Sequence, residues 1–131
     1  MKNVENGIEG KYMYENIIII PALNPPKSLI EYVEMLIDKG FEHILLIDDG
    51  SDDESKDIFQ ILADKKEVVV LKHAVNLGKG RALKNAFNYV LSMWKDDKIR
   101  GVITVDSDGQ HTVEDVINIQ NELAAQKFPK L

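Results

Sequence analysis

Four short, densely apolar runs alternate along this chain with four stretches whose apolar residues recur every three or four positions. The first run, Asn16 to Leu23, is β-branched and apolar at almost every position before it breaks at Pro-Ala-Leu-Asn-Pro-Pro. A run without polar alternation predicts a strand covered on both faces. His43–Ile47, Glu67–Leu71 and Val102–Val105 predict three more strands. Between the first two, Leu29, Val33, Leu36 and Ile37 share one helical face, with Ser28 and Glu31 spaced as a capping box and Gly40 as the stop. Ser51 and Glu54 repeat the capping-box spacing ahead of Ile58, Ile61 and Leu62, expected to face the core. Ala82, Leu83, Ala86, Phe87, Val90, Leu91 and Trp94 trace a third helix, with Phe87 and Trp94 expected in the core, and a fourth helix opens at Thr112 and runs to about residue 126. Residues 1–15 are polar, carry two glycines and predict a flexible leader.

The resulting order, βαβαβαβα, predicts an α/β fold: a parallel sheet with helices on both faces. Right-handed crossovers leave few topologies, and the commonest has strand order 3-2-1-4. In such a sheet the direction of winding reverses between strands 1 and 4, and ligands bind outside the carboxyl ends there. The segments that follow strands 1, 2 and 4 are PALNPP, DDGSDD and DSDGQH, the three least ordinary stretches of the chain. Topology and composition therefore select the same edge.

Composition narrows the chemistry. A length of 131 residues and 44% hydrophobic content suit one folded domain. A net charge of -6 argues against nucleic acid as a partner, because such binders carry a basic stripe. No cysteine is present, which excludes disulfides, thiolate zinc sites and thiol nucleophiles, and suits a cytoplasmic location. No apolar run approaches the roughly 20 residues a membrane span needs.

Asp106 and Asp108 stand one residue apart just beyond the fourth strand. Two carboxylates this close repel each other, and burial raises the cost of ionising both. A divalent cation relieves that conflict, and Mg²⁺ takes one or two carboxylates and completes its shell with phosphate oxygens and water. Gln110 offers an amide oxygen from the same turn. The plain structural alternative is an acidic turn before a helix. A calcium EF-hand fits badly, since its first position would be Thr104 inside a strand and its twelfth Asp115 rather than Glu. Asp48 and Asp49 follow strand 2, where an acid in doubly wound folds receives the hydroxyls or base of a nucleoside. Asp52, Asp53 and Glu54 are explained by the helix dipole alone. Gly78-Lys79-Gly80-Arg81 offers backbone N–H groups and two cations at a helix start, which suits a diphosphate, although the spacing is not that of a Walker A loop. His111 lies beside the proposed metal and is read as positioning; His73 is read as lining a loop and His43 as structural.

Taken in order, IIIIPALNPP, HILLIDDGSDDES, HAVNLGKGRALKNAF and GVITVDSDGQHTVEDV resemble the N-terminal half of family 2 glycosyltransferases, with their Rossmann-like GT-A fold. The subgroup most similar transfers sugars to polyprenyl or dolichyl phosphate. The resemblance covers residues 16 to about 126 and implies roles residue by residue. Pro21, Ala22 and Asn24 line the nucleoside pocket; Asp49, with Asp48, holds base or ribose; Gly78 and Lys79 approach the nucleotide. Asp106, Asp108 and Gln110 bind Mg²⁺ or Mn²⁺ and the diphosphate of a UDP- or GDP-sugar. The implied reaction is metal-assisted, inverting displacement onto an acceptor such as a lipid phosphate, with membrane association of the full-length protein. Pro25 stands where the family often has an acid. The second half of such enzymes supplies the acceptor site and often the catalytic base. Because a further strand is expected where the chain ends, residues 16–131 are read as a donor-binding part, with a non-catalytic nucleotide-sugar-binding fragment as the alternative. A haloacid-dehalogenase-type phosphotransferase also has D-x-D-G after a strand. It needs Thr or Val where Gln110 stands, and Lys and Asp motifs downstream where little chain remains.

Overall fold

A computed structural model describes residues 16–94 and 101–125; the leader expected over 1–15 and the end expected for the fourth helix near 126 lie outside that range. The elements run β1 (Asn16–Ala22), α1 (Ser28–Asp38), β2 (Ile44–Asp49), a 3-10 turn (Asp53–Ser55), α2 (Lys56–Ala63), β3 (Val68–His73), α3 (Lys79–Met93), β4 (Gly101–Thr104) and α4 (Val113–Ala125). The four strands form one parallel sheet in the order β3-β2-β1-β4, as the alternation of elements predicts. β1 pairs with β2 from Ile18↔Ile44 to Ala22↔Asp48, and β2 with β3 from Ile44↔Val68 to Asp49↔His73. Strands β1, β2 and β4 therefore end at one rim.

Side chains on a strand alternate between faces, so each central strand feeds two cores. Ile18, Ile20, Ile44 and Leu46 pack with α1, α2 and α4, through Leu29, Val33, Leu36, Ile58, Phe59, Leu62, Val113 and Val116. Ile17, Ile19, Leu45 and Ile47 pack on the other face against Ala82, Ala86 and Val90 of α3. Small residues at 82 and 86 let that helix lie close on the sheet. Its outer face carries Phe87 and Leu91, both exposed, which corrects the expectation that Phe87 belongs to the core. On α2, Phe59 takes the inward position and Ile61 is exposed.

Two expected capping boxes do not form. Ser28 is the first helical residue of α1 and makes no cap hydrogen bond. Ser51 lies ahead of the 3-10 turn that precedes α2, and its hydroxyl accepts from the backbone N–H of Asn24 instead. A capping box does form at α4, where the Asp115 N–H donates to Thr112 Oγ1 at 3.0 Å and the Thr112 N–H to Asp115 Oδ2 at 3.2 Å. The end of α1 is a Schellman motif: the N–H of Phe41 donates to the carbonyl of Leu36 and that of Gly40 to Ile37, with Gly40 at φ 113.

Candidate functional site

The rim formed by the carboxyl ends of the strands holds a cleft of about 480 Å³ lined by Pro21, Ala22, Leu23, Asp49, Asn76, Gly78, Lys79, Asp106, Ser107 and Asp108. Each segment reaches it for a local reason. β1 runs through Pro21 and ends at Ala22, and the chain bends at Leu23 and Asn24 at the rim. Gly50 follows β2 at φ +82, a left-handed conformation that glycine adopts without a Cβ penalty. Gly78 leads into α3 at φ 94, and Gly109 turns the chain at φ 82 after the Asp106-Ser107-Asp108 segment.

Asp49 is the most constrained group in the cleft. It is 4% exposed. Its Oδ1 accepts from the Leu77 N–H at 3.0 Å and lies 2.8 Å from His73 Nδ1, while Oδ2 accepts from the Gly78 N–H at 3.0 Å. Burial pushes this carboxyl up, but the hydrogen bonds from His73, Leu77 and Gly78, with the attraction of His73, outweigh burial and hold it below the ordinary carboxylate value. Asp48, one residue earlier, points to the other face of the sheet, as strand alternation requires. It accepts from the Ser51 N–H at 2.9 Å and borders a separate concavity with Asp52, Asp53 and Lys56.

Asn24 stands at φ 49, a left-handed conformation that Asn tolerates better than most residues. Its N–H donates to Ser51 Oγ and its Oδ1 accepts from the Asp52 N–H, so it ties the loop after β1 to the loop after β2. It is not among the residues lining the cleft. The sequence reading missed this stapling role.

At the other wall, Lys79 Nζ donates to Asp106 Oδ1 at 2.6 Å. Asp108 Oδ1 accepts from the Gln110 N–H at 3.1 Å, and Gln110 is exposed and outside the cleft lining. Among the described residues, no three His, Cys, Asp or Glu side chains converge to hold a metal ion. The donors present, two carboxylates with one already paired to an ammonium, fit a hard cation that brings much of its own shell as phosphate and water. They do not fit a cation caged by protein alone. The backbone N–H groups of the first turn of α3 lie at the same wall, where a helix start favours negative charge.

The structure thus brings together Pro21, Ala22, Asp49, Gly78, Lys79, Asp106 and Asp108, and leaves Asn24, Asp48 and Gln110 outside the lining. It adds Leu23, Asn76 and Ser107 to the wall, and it ties His73 to Asp49 rather than leaving it as a simple loop residue. His111 does not line the cleft. His43, just before β2, packs against Trp94 in a tilted arrangement, with ring centroids 5.4 Å apart and planes at 58°. Among the described residues no helix is long and apolar enough to cross a membrane.

Comparison with known proteins agrees with this fold. The family model described as glycosyl transferase family 2 matches residues 17–128. An uncharacterized protein of Methanocaldococcus jannaschii is 35% identical over 102 residues, covering 78% of this chain and 39% of its own. A second uncharacterized protein from that organism is 29% identical over 109 residues, covering 82% of this chain and 46% of its own. The UDP-N-acetylglucosamine–dolichyl-phosphate N-acetylglucosaminyltransferase of Methanococcus voltae is 27% identical over 115 residues, covering 78% and 44%. The chain therefore spans less than half the length of these relatives.

Proposed function

This chain belongs to glycosyl transferase family 2, and we propose that its cleft receives the nucleoside diphosphate of a sugar donor, with the whole protein transferring that sugar to a lipid phosphate. The observation that carries the reading is the cleft itself: a buried acceptor, Asp49, stands at one wall, and Lys79 with the Asp106/Asp108 pair at the other. One wall suits the hydrogen-bond donors of a nucleoside and the other suits a diphosphate. Membership of the family supports a nucleotide-sugar donor, and the named activity of the Methanococcus voltae relative supports a uridine nucleotide and a dolichyl-phosphate acceptor.

Asp49 accepts from the base or ribose, and Pro21 and Ala22 form the floor beside it. Asn24 and Asp48 act by shaping the loops rather than by touching ligand. Lys79, at the start of α3, places an ammonium beside the diphosphate, and Gly78 lets the backbone approach without a side chain in the way. Asp106 and Asp108, with the amide of Gln110 at the turn, would hold Mg²⁺ or Mn²⁺. Such a cation, when bound, offsets the negative charge that builds on the departing diphosphate. Inversion at the sugar carbon follows from a single in-line displacement. A lipid phosphate acceptor is already anionic, so it needs no general base from residues 16–125.

Calorimetric titration of UDP-glucose and GDP-mannose, with and without Mn²⁺, tests the donor site. Metal-dependent binding of either nucleotide sugar is expected. Absence of binding of both in the presence of Mn²⁺ removes the nucleotide-sugar reading for this chain. Asp108→Ala is expected to abolish the metal dependence while the far-ultraviolet circular dichroism stays unchanged; unaltered affinity would put the metal elsewhere.

A further inference from the structure

The nucleoside wall of the cleft is braced from behind. β2 and β3 end in register, Asp49 against His73, so the two side chains leave the same face of the sheet. His73 Nδ1 lies 2.8 Å from Asp49 Oδ1, and its Nε2 lies 2.9 Å from Asn85 Nδ2, one turn or more into α3. With the Asn85 amide donating, Nε2 is an acceptor and the ring proton sits on Nδ1, facing the carboxylate. The His73 side chain is 11% exposed, so the imidazole has little freedom to leave this arrangement. Asp49 in turn accepts from the N–H groups of Leu77 and Gly78, and Gly78 N–H also reaches Asn76 Oδ1 at 2.9 Å. A chain of hydrogen bonds therefore runs from the middle of α3 through an imidazole and a carboxylate to the loop that forms the cleft wall.

We propose that His73, anchored by Asn85, is a positioning residue: it holds the Asp49 carboxylate in one rotamer and, through it, holds loop 76–78 in the shape that receives the nucleotide. The inference rests on the donor-site reading above for its ligand, but not for its geometry. A carboxylate has about four lone-pair sites, and three are taken by His73, Leu77 and Gly78. Oδ1 already has two donors and Oδ2 one. The orientation His73 sets therefore decides where the one remaining acceptor site points, and with it which donor of a base or ribose it meets. Without the imidazole, Asp49 can rotate, or share its oxygens differently between loop and ligand. The effect falls on ligand binding and on the loop amides, and much less on the sheet, whose core lies below this rim.

The test uses three variants and two readouts. His73→Phe keeps a planar ring and removes the donor. His73→Asn restores an N–H near the Nδ1 position. Asn85→Leu removes the anchor from a half-buried helical site and leaves the sheet untouched, so it remains informative if His73→Phe folds poorly. The first readout is amide hydrogen exchange at Leu77 and Gly78, which needs no ligand. Protection there is expected to fall in His73→Phe and Asn85→Leu and to return in His73→Asn, with Ile18 and Leu46 unchanged. The second is UDP affinity with Mn²⁺, expected to weaken roughly tenfold in His73→Phe, as for loss of one hydrogen bond to a charged group, and to recover largely in His73→Asn. Retained protection of both amides in His73→Phe and in Asn85→Leu overturns the proposal. So does lost protection with unchanged UDP affinity, which would make the contact structural only. If the unaltered protein binds no UDP, the donor-site reading is what fails, and the amide readout still decides whether His73 holds the loop.

Discussion

Asp49 shows how a single carboxylate can be both buried and ionised. Its desolvation is outweighed by three donors, and its folded-state value lies below that of the unfolded chain. A group shifted down in this way contributes stability above the unfolded carboxylate value of about 3.9, and the contribution is lost as pH falls through the folded-state value. Asp49→Asn is expected to cost about 1–3 kcal/mol at pH 7, the range for disrupting hydrogen bonds to a buried charge. The gap between variant and parent should close as pH drops below about 4, since the parent then loses what the variant lacks. Urea unfolding at pH 7, 5 and 3 measures it; a pH-independent gap would show that the charge on Asp49 is not what stabilises the loop. Both acids at the end of β2 were visible in the sequence, yet their division of labour was not. Period-2 alternation sends Asp48 and Asp49 to opposite faces, and only the observed register says which face carries the cleft.

At the scale of elements, the four helices and four strands follow from periodicity, because each buried stripe must meet a partner. Helix starts followed less well. Ser28/Glu31, Ser51/Glu54 and Thr112/Asp115 all offer a side chain that can reciprocate across three residues. The box forms at Thr112, while at Ser28 the helix begins one residue too early and at Ser51 the hydroxyl is taken by the Asn24 N–H. Thr112→Ala is therefore expected to lower stability by about 1 kcal/mol, and Ser28→Ala by less than about 0.5 kcal/mol, as for a surface change without a lost contact. Thermal unfolding of the two variants side by side checks the contrast; equal shifts would mean that the Thr112 cap contributes nothing. A cap is a competition between a local bond and a distant one, and spacing alone does not reveal the distant competitor.

For the whole molecule, the cleft depends on loops that meet from different strands. Gly50 and the loop after β3 touch so closely that a Cβ on Gly50 would lie 2.4 Å from Asn76 N and from the Val75 carbonyl carbon. Gly109 has a similar φ but open space around it. Gly50→Ala is expected to cost more than about 2 kcal/mol, conformational penalty plus clash, and Gly109→Ala only about 1–2 kcal/mol, the conformational penalty by itself. Nucleotide binding should suffer most in the first; comparable losses in stability for the two would argue that the contact with Asn76 is unimportant. The alternation of apolar runs and amphipathic stretches by itself determined the parallel sheet and favoured its order and the rim at which chemistry belongs, because buried strands and short right-handed crossovers leave few choices. The four segments in sequence also carried the likeness to family 2 glycosyltransferases. Only the tertiary structure decided that Asn24 staples two loops, that Asp48 turns away, that Lys79 bridges to Asp106 and that His73 braces Asp49 against Asn85. These contacts join residues from different elements, and their partners are chosen by register and loop path, which no local pattern encodes.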